Sequence, residues 1–269
     1  VMERVAWVPD DVDEGLPSAA RLYDYLLGGG HNFAADRELA AKFLKAQPNA
    51  RNIARENRAF LRRSVLFMIE SGVRQFLDLG SGIPTVGNVH EIAQKADPDA
   101  HVVYVDYEEV AVAHSKLLLE NNDRATIVQA DLTVPESILE HPDTRALLDF
   151  DRPIGVLTAG VFHFVSPAKE PKRIVAAYRD AVAPGSYLAI SQFTADFMPE
   201  EMAGIVEVMK NSRDPMFPRS YDEILDLFEG CDVVEPGVVA TPLWRPESVT
   251  AASDEPTRAG IYAGVGRKR

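Results

Sequence analysis

The stretch Phe76-Leu77-Asp78-Leu79-Gly80-Ser81-Gly82-Ile83-Pro84 decides how the chain is read. It is a short apolar run that closes on a carboxylate and then turns on two glycines. A helical pattern follows from about Thr85 to Lys95. With no Cβ in the way, a ligand can approach the backbone of such a turn, and a helix start beyond it offers unpaired N–H groups.

Toward the C-terminus the same alternation repeats. Apolar runs at 75–79, 101–106, 126–129, 154–159 and 187–192 are separated by helical patterns near 85–96, 108–121, 135–148 and 168–183. This spacing predicts an α/β fold, a doubly wound and mostly parallel sheet with helices on both faces. Helical patterns near 199–211 and 221–229 follow, then strand-like runs at 232–240 and 260–266. A long loop, 241–259, rich in Pro, Ser, Thr and Glu, joins those two runs.

Toward the N-terminus the pattern is helical. Ser18 caps a helix whose apolar face carries Leu22, Tyr23, Leu26 and Leu27, and Gly28-Gly29-Gly30 ends it. Helices near 36–46 and 49–71 follow. One glycine suffices to end a helix. The triplet is therefore either a flexible connection or a hinge at a lid edge, which would bring Gly29, Gly30, His31, Asn32 and Phe33 against a ligand. Arg51, Arg55, Arg58 and Arg62 recur at helical spacing. Most of such a stripe is a solvated face that pairs with nearby acids. One or two members, Arg58 foremost, are expected to reach a ligand carboxylate. The expected organisation is an acidic arm at 1–16, a helical extension or lid at 17–72, and a ligand-binding α/β domain at 73–269.

In an open parallel sheet, ligands bind beyond the carboxyl ends of the strands. Asp78 stands at the first of these ends. Asp106, followed by Tyr107, stands at the second, and Asp131, followed by Leu132, at the third. Gly160 closes the fourth, with Phe162 and His163 just past it. Asp106 lies 24 residues after Gly82. Its two oxygens match the two hydroxyls of a ribose. Asp131 is placed to accept from an exocyclic amine such as adenine N6. Each feature alone is common, but three in order on successive strands compose a nucleoside site.

Two nucleotide readings compete. A nicotinamide-binding turn has the pattern Gly-x-Gly-x-x-Gly, whereas Thr85 stands three residues after Gly82. Asp78 directly before the turn would repel a pyrophosphate. It tolerates a ligand with an ammonium group, and that favours S-adenosylmethionine over NAD. A P-loop is excluded, because no Gly-Lys-Ser/Thr follows the turn.

Asp78-Leu79-Gly80-Ser81-Gly82 resembles the first motif of class I S-adenosylmethionine-dependent methyltransferases, and Asp106 and Asp131 stand where that superfamily places its ribose and adenine contacts. Arg21-Leu-Tyr-Asp-Tyr-Leu-Leu-Gly-Gly-Gly-His-Asn-Phe-Ala-Ala-Asp-Arg37, with Gly82-Ile-Pro-Thr-Val-Gly-Asn88, is similar to the narrower actinobacterial DUF574 family. The resemblance runs from about Pro17 to Lys268. It implies a seven-stranded sheet with an antiparallel seventh strand and an N-terminal helical extension. Pro84 departs from it, standing where many superfamily members carry a third glycine. The cofactor contacts it implies are Asp78, Gly80, Ser81, Gly82, Asp106, Tyr107, Asp131, Leu132 and Gly160.

Methyl transfer from a sulfonium is an in-line displacement that requires alignment and exclusion of water. A base is needed only where the nucleophile loses a proton on attack. His163 is the expected candidate, with a pocket-lining role as its alternative, and His31 is second. Tyr23, Tyr25 and Phe33 are aromatic candidates for a wall around the sulfonium or for the core of the helical extension. The expected function is S-adenosylmethionine-dependent methyl transfer to a small-molecule acceptor. A non-catalytic sensor of the cofactor or of S-adenosylhomocysteine is the alternative.

The net charge of −13 argues against sequence-independent binding to nucleic acid or anionic membranes. A single cysteine, Cys231, rules out an intramolecular disulfide and a thiolate zinc site. The histidines share no spacing, so no metal site is expected. The N-terminus lacks the pattern of a signal peptide and no apolar run approaches a membrane span. A cytoplasmic protein is therefore expected.

Overall fold

Strands form where apolar side chains are buried on both faces of a parallel sheet. The computed structural model describes residues 12–85, 87–247 and 255–269. It contains β1 (Gln75–Leu79), β2 (His101–Asp106), β3 (Ala125–Gln129), β4 (Gly155–Ala159) and β5 (Tyr187–Phe193), followed by β6 (Cys231–Val233), β7 (Val239–Ala240) and β8 (Ile261–Lys268). The spatial order is β3-β2-β1-β4-β5-β8-β6, with β7 also on β8. The pairs among β1 to β5 are parallel, and β8 runs antiparallel to β5, β6 and β7. The order reverses between β1 and β4, where the carboxyl ends of the strands leave a crevice.

The run at 232–240, expected as one strand, is two pieces on the same partner. Pro236 has no N–H to give a ladder, and Gly237, at φ 90°, turns the chain back so that its N–H reaches the Val234 oxygen at 2.8 Å. The helix expected over 135–148 is likewise split, into α6 (Pro135–Leu139) and α7 (Pro142–Leu147). Pro142 fits the first turn of a helix but not its interior.

The helix after the glycine turn also starts later than expected. α4 (Val89–Ala96) is preceded by a loop in which Asn88 Oδ1 accepts the Thr85 N–H, and Glu91 accepts the Gly87 and Asn88 N–H groups. These bonds spend the free donors expected immediately after Gly82. The remaining sheet-covering helices are α5 (Glu109–Leu119) and α8 (Pro171–Ala181), with α10 (Tyr221–Asp226) near the edge. No helix among the described residues is long and apolar enough to cross a membrane.

Before the sheet come α1 (Ala19–Leu27), α2 (Ala34–Ala46) and α3 (Ala50–Glu70). Ser18 Oγ accepts the Arg21 N–H and caps α1, as its sequence position predicts. The second half of α3 belongs to the sheet: Phe60, Val65 and Met68 are packed with Phe76, Val102 and Leu157. Its first half faces another way. Ala50 and Ala54 join Leu22, Leu26, Leu39 and Phe43 in a separate cluster with Met202, Ile205 and Met209 of α9 (Pro199–Met209). The helical cover is thus built from both ends of the chain.

Arg21 fastens this cover to the sheet. It is buried, with Nε 2.8 Å from Asp36 Oδ2 and Nη1 2.6 Å from Glu108 Oε1, and it also donates to the Leu16 oxygen. Of the acidic arm, residues 1–11 lie outside the described residues. In the remainder Val12 is buried with Ile83 and Val110, so this part is anchored. Of the 241–259 loop, residues 248–254 lie outside the described residues. Trp244 is fully buried, edge-on to Phe60 at 5.3 Å.

Candidate functional site

The tips of β1, β2 and β4 and the helical cover enclose a cleft of about 350 Å³, a size that suits a small ligand. A wider groove at the opposite strand ends is lined by Arg74, Asp97 and Arg145. It is open and polar, and its Arg74 is paired with Asp97 at 2.5 Å. The enclosed cleft is the better binding site.

At the tip of β1 the chain must turn sharply, and Gly80 and Gly82 adopt φ 70° and 68°, a region that disfavours any side chain. A Cβ on Gly80 would meet Val161 Cγ2 at 2.2 Å, whereas a Cβ on Gly82 would meet nothing within 4 Å. The first glycine lets the β4 loop close in, and the second leaves room on the cleft side. Ser81 Oγ is buried and has no partner among the described residues.

Asp78 is buried, and desolvation pushes its carboxyl up to about 7. Arg58 opposes this and Asp106 adds to it. Arg58 donates to the Gly87 oxygen at 2.8 Å and lines the cleft. The Asp106 carboxylate holds the turn: Oδ2 accepts the Gly82 N–H at 2.7 Å, and Oδ1 accepts the Glu108 N–H at 2.9 Å. Burial raises its pKa and the two N–H groups moderate the rise. Each oxygen keeps one lone pair for a ligand hydroxyl.

Tyr107 follows, with its hydroxyl on Asp214 and its ring 4.6 Å beneath the Arg213 guanidinium. Asp131 is exposed, accepting the Thr133 N–H at 2.8 Å with Lys169 Nζ at 3.5 Å. Leu132 is buried beside it, its carbonyl taken by the Tyr178 hydroxyl. Gly160, at φ 76°, gives way to Asn57, whose Nδ2 would lie 2.7 Å from a Cβ there.

His163 sits on a single 3-10 turn, Phe162–Phe164, past the tip of β4. Its ring is held edge-on by Phe164 at 4.3 Å and Phe193 at 4.8 Å, and Nδ1 has no partner among the described residues. Burial, with Arg219 adding to it, pushes its pKa down to about 3. A group this reluctant to take a proton is a poor general base near neutral pH, so the geometry favours the pocket-lining alternative.

All nine residues expected at the cofactor end line this cleft, together with Tyr23, Arg58 and His163. The glycine-loop residues do not join them. Gly28 ends α1 at φ 90°, and Asp24 folds back beneath the loop to take the His31 N–H at 2.8 Å and Asn32 Nδ2 at 2.9 Å. A Cβ on Gly29 would lie 1.9 Å from that carboxylate. His31 lies against His114 of α5, with ring centroids 3.7 Å apart and the rings tilted by 54°, and Phe33 lies under Arg21. The triplet is thus a fitted turn facing α5, not a loose edge at the cleft. Tyr25 carries Arg51 over its ring and also stays outside.

Asn57, Asp214 and Arg213 are among the cleft residues that the sequence does not single out. Asn57 accepts from Ser191 Oγ at 2.5 Å and donates to the Tyr23 hydroxyl at 3.3 Å. Asp214 accepts the Ala19 N–H at 2.6 Å, and burial pushes its pKa up to about 6. Arg213 pairs with Glu109 at 2.8 Å.

Residues 5–269 match the family described as S-adenosyl methyltransferase. The chain belongs to that family. The chain is similar to a Thermobifida fusca YX protein, described as a candidate methyltransferase, with 42% identity and a TM-score of 0.92 over 98% of this chain and 100% of that one. It is also similar to a DUF574 family protein of Streptomyces avermitilis MA-4680, at 36% identity and a TM-score of 0.92, covering 96% and 99%. No curated protein matches. The family's cofactor is S-adenosylmethionine, and the cleft fits it: the space at Gly82, the unpartnered Ser81 hydroxyl and the spare lone pairs of Asp106 form a polar cradle at one end.

Proposed function

We propose that this protein transfers a methyl group from S-adenosylmethionine to a small-molecule acceptor held beneath the helical cover. The observation that carries this reading is the continuity of the cleft. The glycine turn with its carboxylates and an apolar chamber beyond Gly160 open into one space. When bound, the cofactor supplies a sulfonium methyl and leaves as the neutral thioether S-adenosylhomocysteine. In this reading Asp78 would face the ammonium, with Arg58 toward the carboxylate. Asp106 would take the ribose hydroxyls, with Tyr107 beside them, and Asp131 and Leu132 would border the adenine. α1, α3 and α9 keep water from the acceptor.

Calorimetry with S-adenosylmethionine and S-adenosylhomocysteine, followed by mass-spectrometric detection of methylated product across a metabolite panel, tests the reading. Binding of both forms and methylation of at least one acceptor is the expected result. Equal affinity for both forms with no transfer would overturn catalysis and leave a sensing role. The part of 17–72 before Phe60 serves, with α9, as the cover in this reading. Amide exchange over 20–60 should slow when S-adenosylhomocysteine is added, and unchanged protection would remove this part from that role.

A further inference from the structure

The charge in the cleft is segregated. Its carboxylates, Asp78, Asp106, Glu108, Asp131 and Asp214, belong to the tips of β1 to β3 or to the segment after α9. Its cations are engaged. Arg58 holds the Gly87 carbonyl, Lys169 lies between Asp131 and Thr133, and Arg213 holds Glu109. Toward the helical cover the walls are Leu22, Leu26, Phe43, Ile53, Phe193 and Met209.

The polar groups on that side are nearly all spent. The Tyr23 hydroxyl donates to the Ala54 carbonyl at 3.0 Å and accepts from Asn57, which in turn accepts from Ser191. Two cleft-lining side chains keep a buried polar atom without a partner among the described residues: Ser81 at the glycine turn and His163 beside Phe193. A buried polar atom left unpaired is costly, so each of the two is suited to a ligand partner. One orphan lies at the cofactor end and the other at the apolar end.

Resting on the reading of this cleft as a methyl-transfer site, we propose that the acceptor is a neutral, mostly apolar molecule carrying a hydroxyl, and that His163 holds that hydroxyl by a hydrogen bond. An anionic acceptor would lose its hydration in the apolar chamber without gaining a free cation. A cationic one would find the carboxylates at the other end, with Asp106, Glu108, Asp131 and Asp214 already hydrogen-bonded or paired and Asp78 turned to the cofactor. A neutral imidazole has one donor and one acceptor nitrogen, and a hydroxyl can satisfy either. Phe164 and Phe193 hold the ring in place, so the hydrogen bond orients the acceptor as well as binding it.

Three probes of one shape test this: 2-naphthol, 2-naphthoate and 2-naphthylmethylammonium, with naphthalene as reference. Binding to the full chain saturated with S-adenosylhomocysteine is read by ligand-detected NMR and calorimetry, independently of turnover. We expect 2-naphthol to bind about tenfold or more tightly than either charged probe, because neither charge finds a partner. It should bind about three- to tenfold more tightly than naphthalene, the worth of one neutral hydrogen bond. His163→Leu should erase the preference over naphthalene, and His163→Asn, which can still hydrogen-bond, should keep part of it. No binding of 2-naphthol, equal or tighter binding of a charged probe, or an undiminished preference in His163→Leu overturns the proposal. Failure of the chain to bind S-adenosylhomocysteine at all would instead overturn the methyl-transfer reading, and this proposal with it.

Discussion

Asp106 Oδ2 accepts the Gly82 N–H at 2.7 Å, tying the tip of β2 to the glycine turn after β1. The residue expected to bind the ribose also shapes the loop that receives the rest of the cofactor. Asp106→Ala should therefore act twice. It leaves the Gly82 and Glu108 N–H groups without a protein acceptor, which should cost about 1–3 kcal/mol of stability in urea unfolding. It should also weaken S-adenosylhomocysteine binding by about 1–3 kcal/mol in calorimetry. Unchanged affinity would remove Asp106 from the ligand site.

The triplet Gly28-Gly29-Gly30 makes a sharper test of packing. Gly29→Ala puts a Cβ against the Asp24 carboxylate, which cannot withdraw without losing His31 and Asn32. A loss of about 1–3 kcal/mol is expected, as for other overpacked sites. A Cβ on Gly30 meets nothing within 4 Å, so Gly30→Ala should leave the thermal midpoint nearly unchanged. Equal effects would mean that flexibility, not the close approach, demands the glycines.

Arg21 lies between two buried carboxylates, Asp36 and Glu108. Arg21→Met removes the guanidinium and leaves both without their partner, which should cost about 3–5 kcal/mol. Early proteolysis within α1 and α2 should accompany the loss. A variant as resistant as the parent would show that the apolar cluster alone holds the cover.

Above about pH 6.5, where the buried His163, pushed down to about 3, no longer offsets the trend, stability should fall as pH rises. Burial lifts Asp78 to about 7 and Asp214 to about 6, above their ordinary value of 3.8. Between these limits the folded chain binds protons that the unfolded chain releases. Their favourable contribution is complete below about pH 4 and is lost as pH passes 6 and then 7. Urea unfolding at pH 6.5, 7, 7.5 and 8 should show the decline, and Asp78→Asn should flatten it. A ligand ammonium beside Asp78 favours the ionised form, so S-adenosylmethionine should bind more tightly at pH 8 than at pH 6. An affinity independent of pH in that range would place the ammonium elsewhere.

The sheet was legible because its signals are local. Each run from 75 to 193 is apolar and bounded by helical spacing, and the strand-tip acids follow from where parallel strands end. Other features depend on contacts distant in sequence. Arg58, in a stripe that otherwise reads as solvated, reaches the cleft only because the first half of α3 rises above the sheet. Asn57 left a trace, a polar residue on the buried stripe with Ile53, Phe60, Leu61 and Ser64. Asp214 left none. It lies in a loop with no periodicity, and α9 alone brings it to Ala19 and Tyr107. Gly29 reads as part of a mobile triplet because sequence shows the absence of a Cβ and not the carboxylate of Asp24 that occupies its place.

The helical cover also imposes an order on synthesis. Phe43 packs in one cluster with Met202, about 160 residues further along the chain. At roughly 5–20 residues per second, a ribosome needs on the order of 10–30 s to cover that distance. During that time the apolar faces of α1 and α2 are complete but without α9 to cover them. The nascent chain thus carries a sticky surface long before its sheet can close, and the chamber for the acceptor is among the last parts of the molecule to form. Its yield in a cell should depend on chaperones that shield Leu22, Leu26 and Phe43 until α9 has left the ribosome.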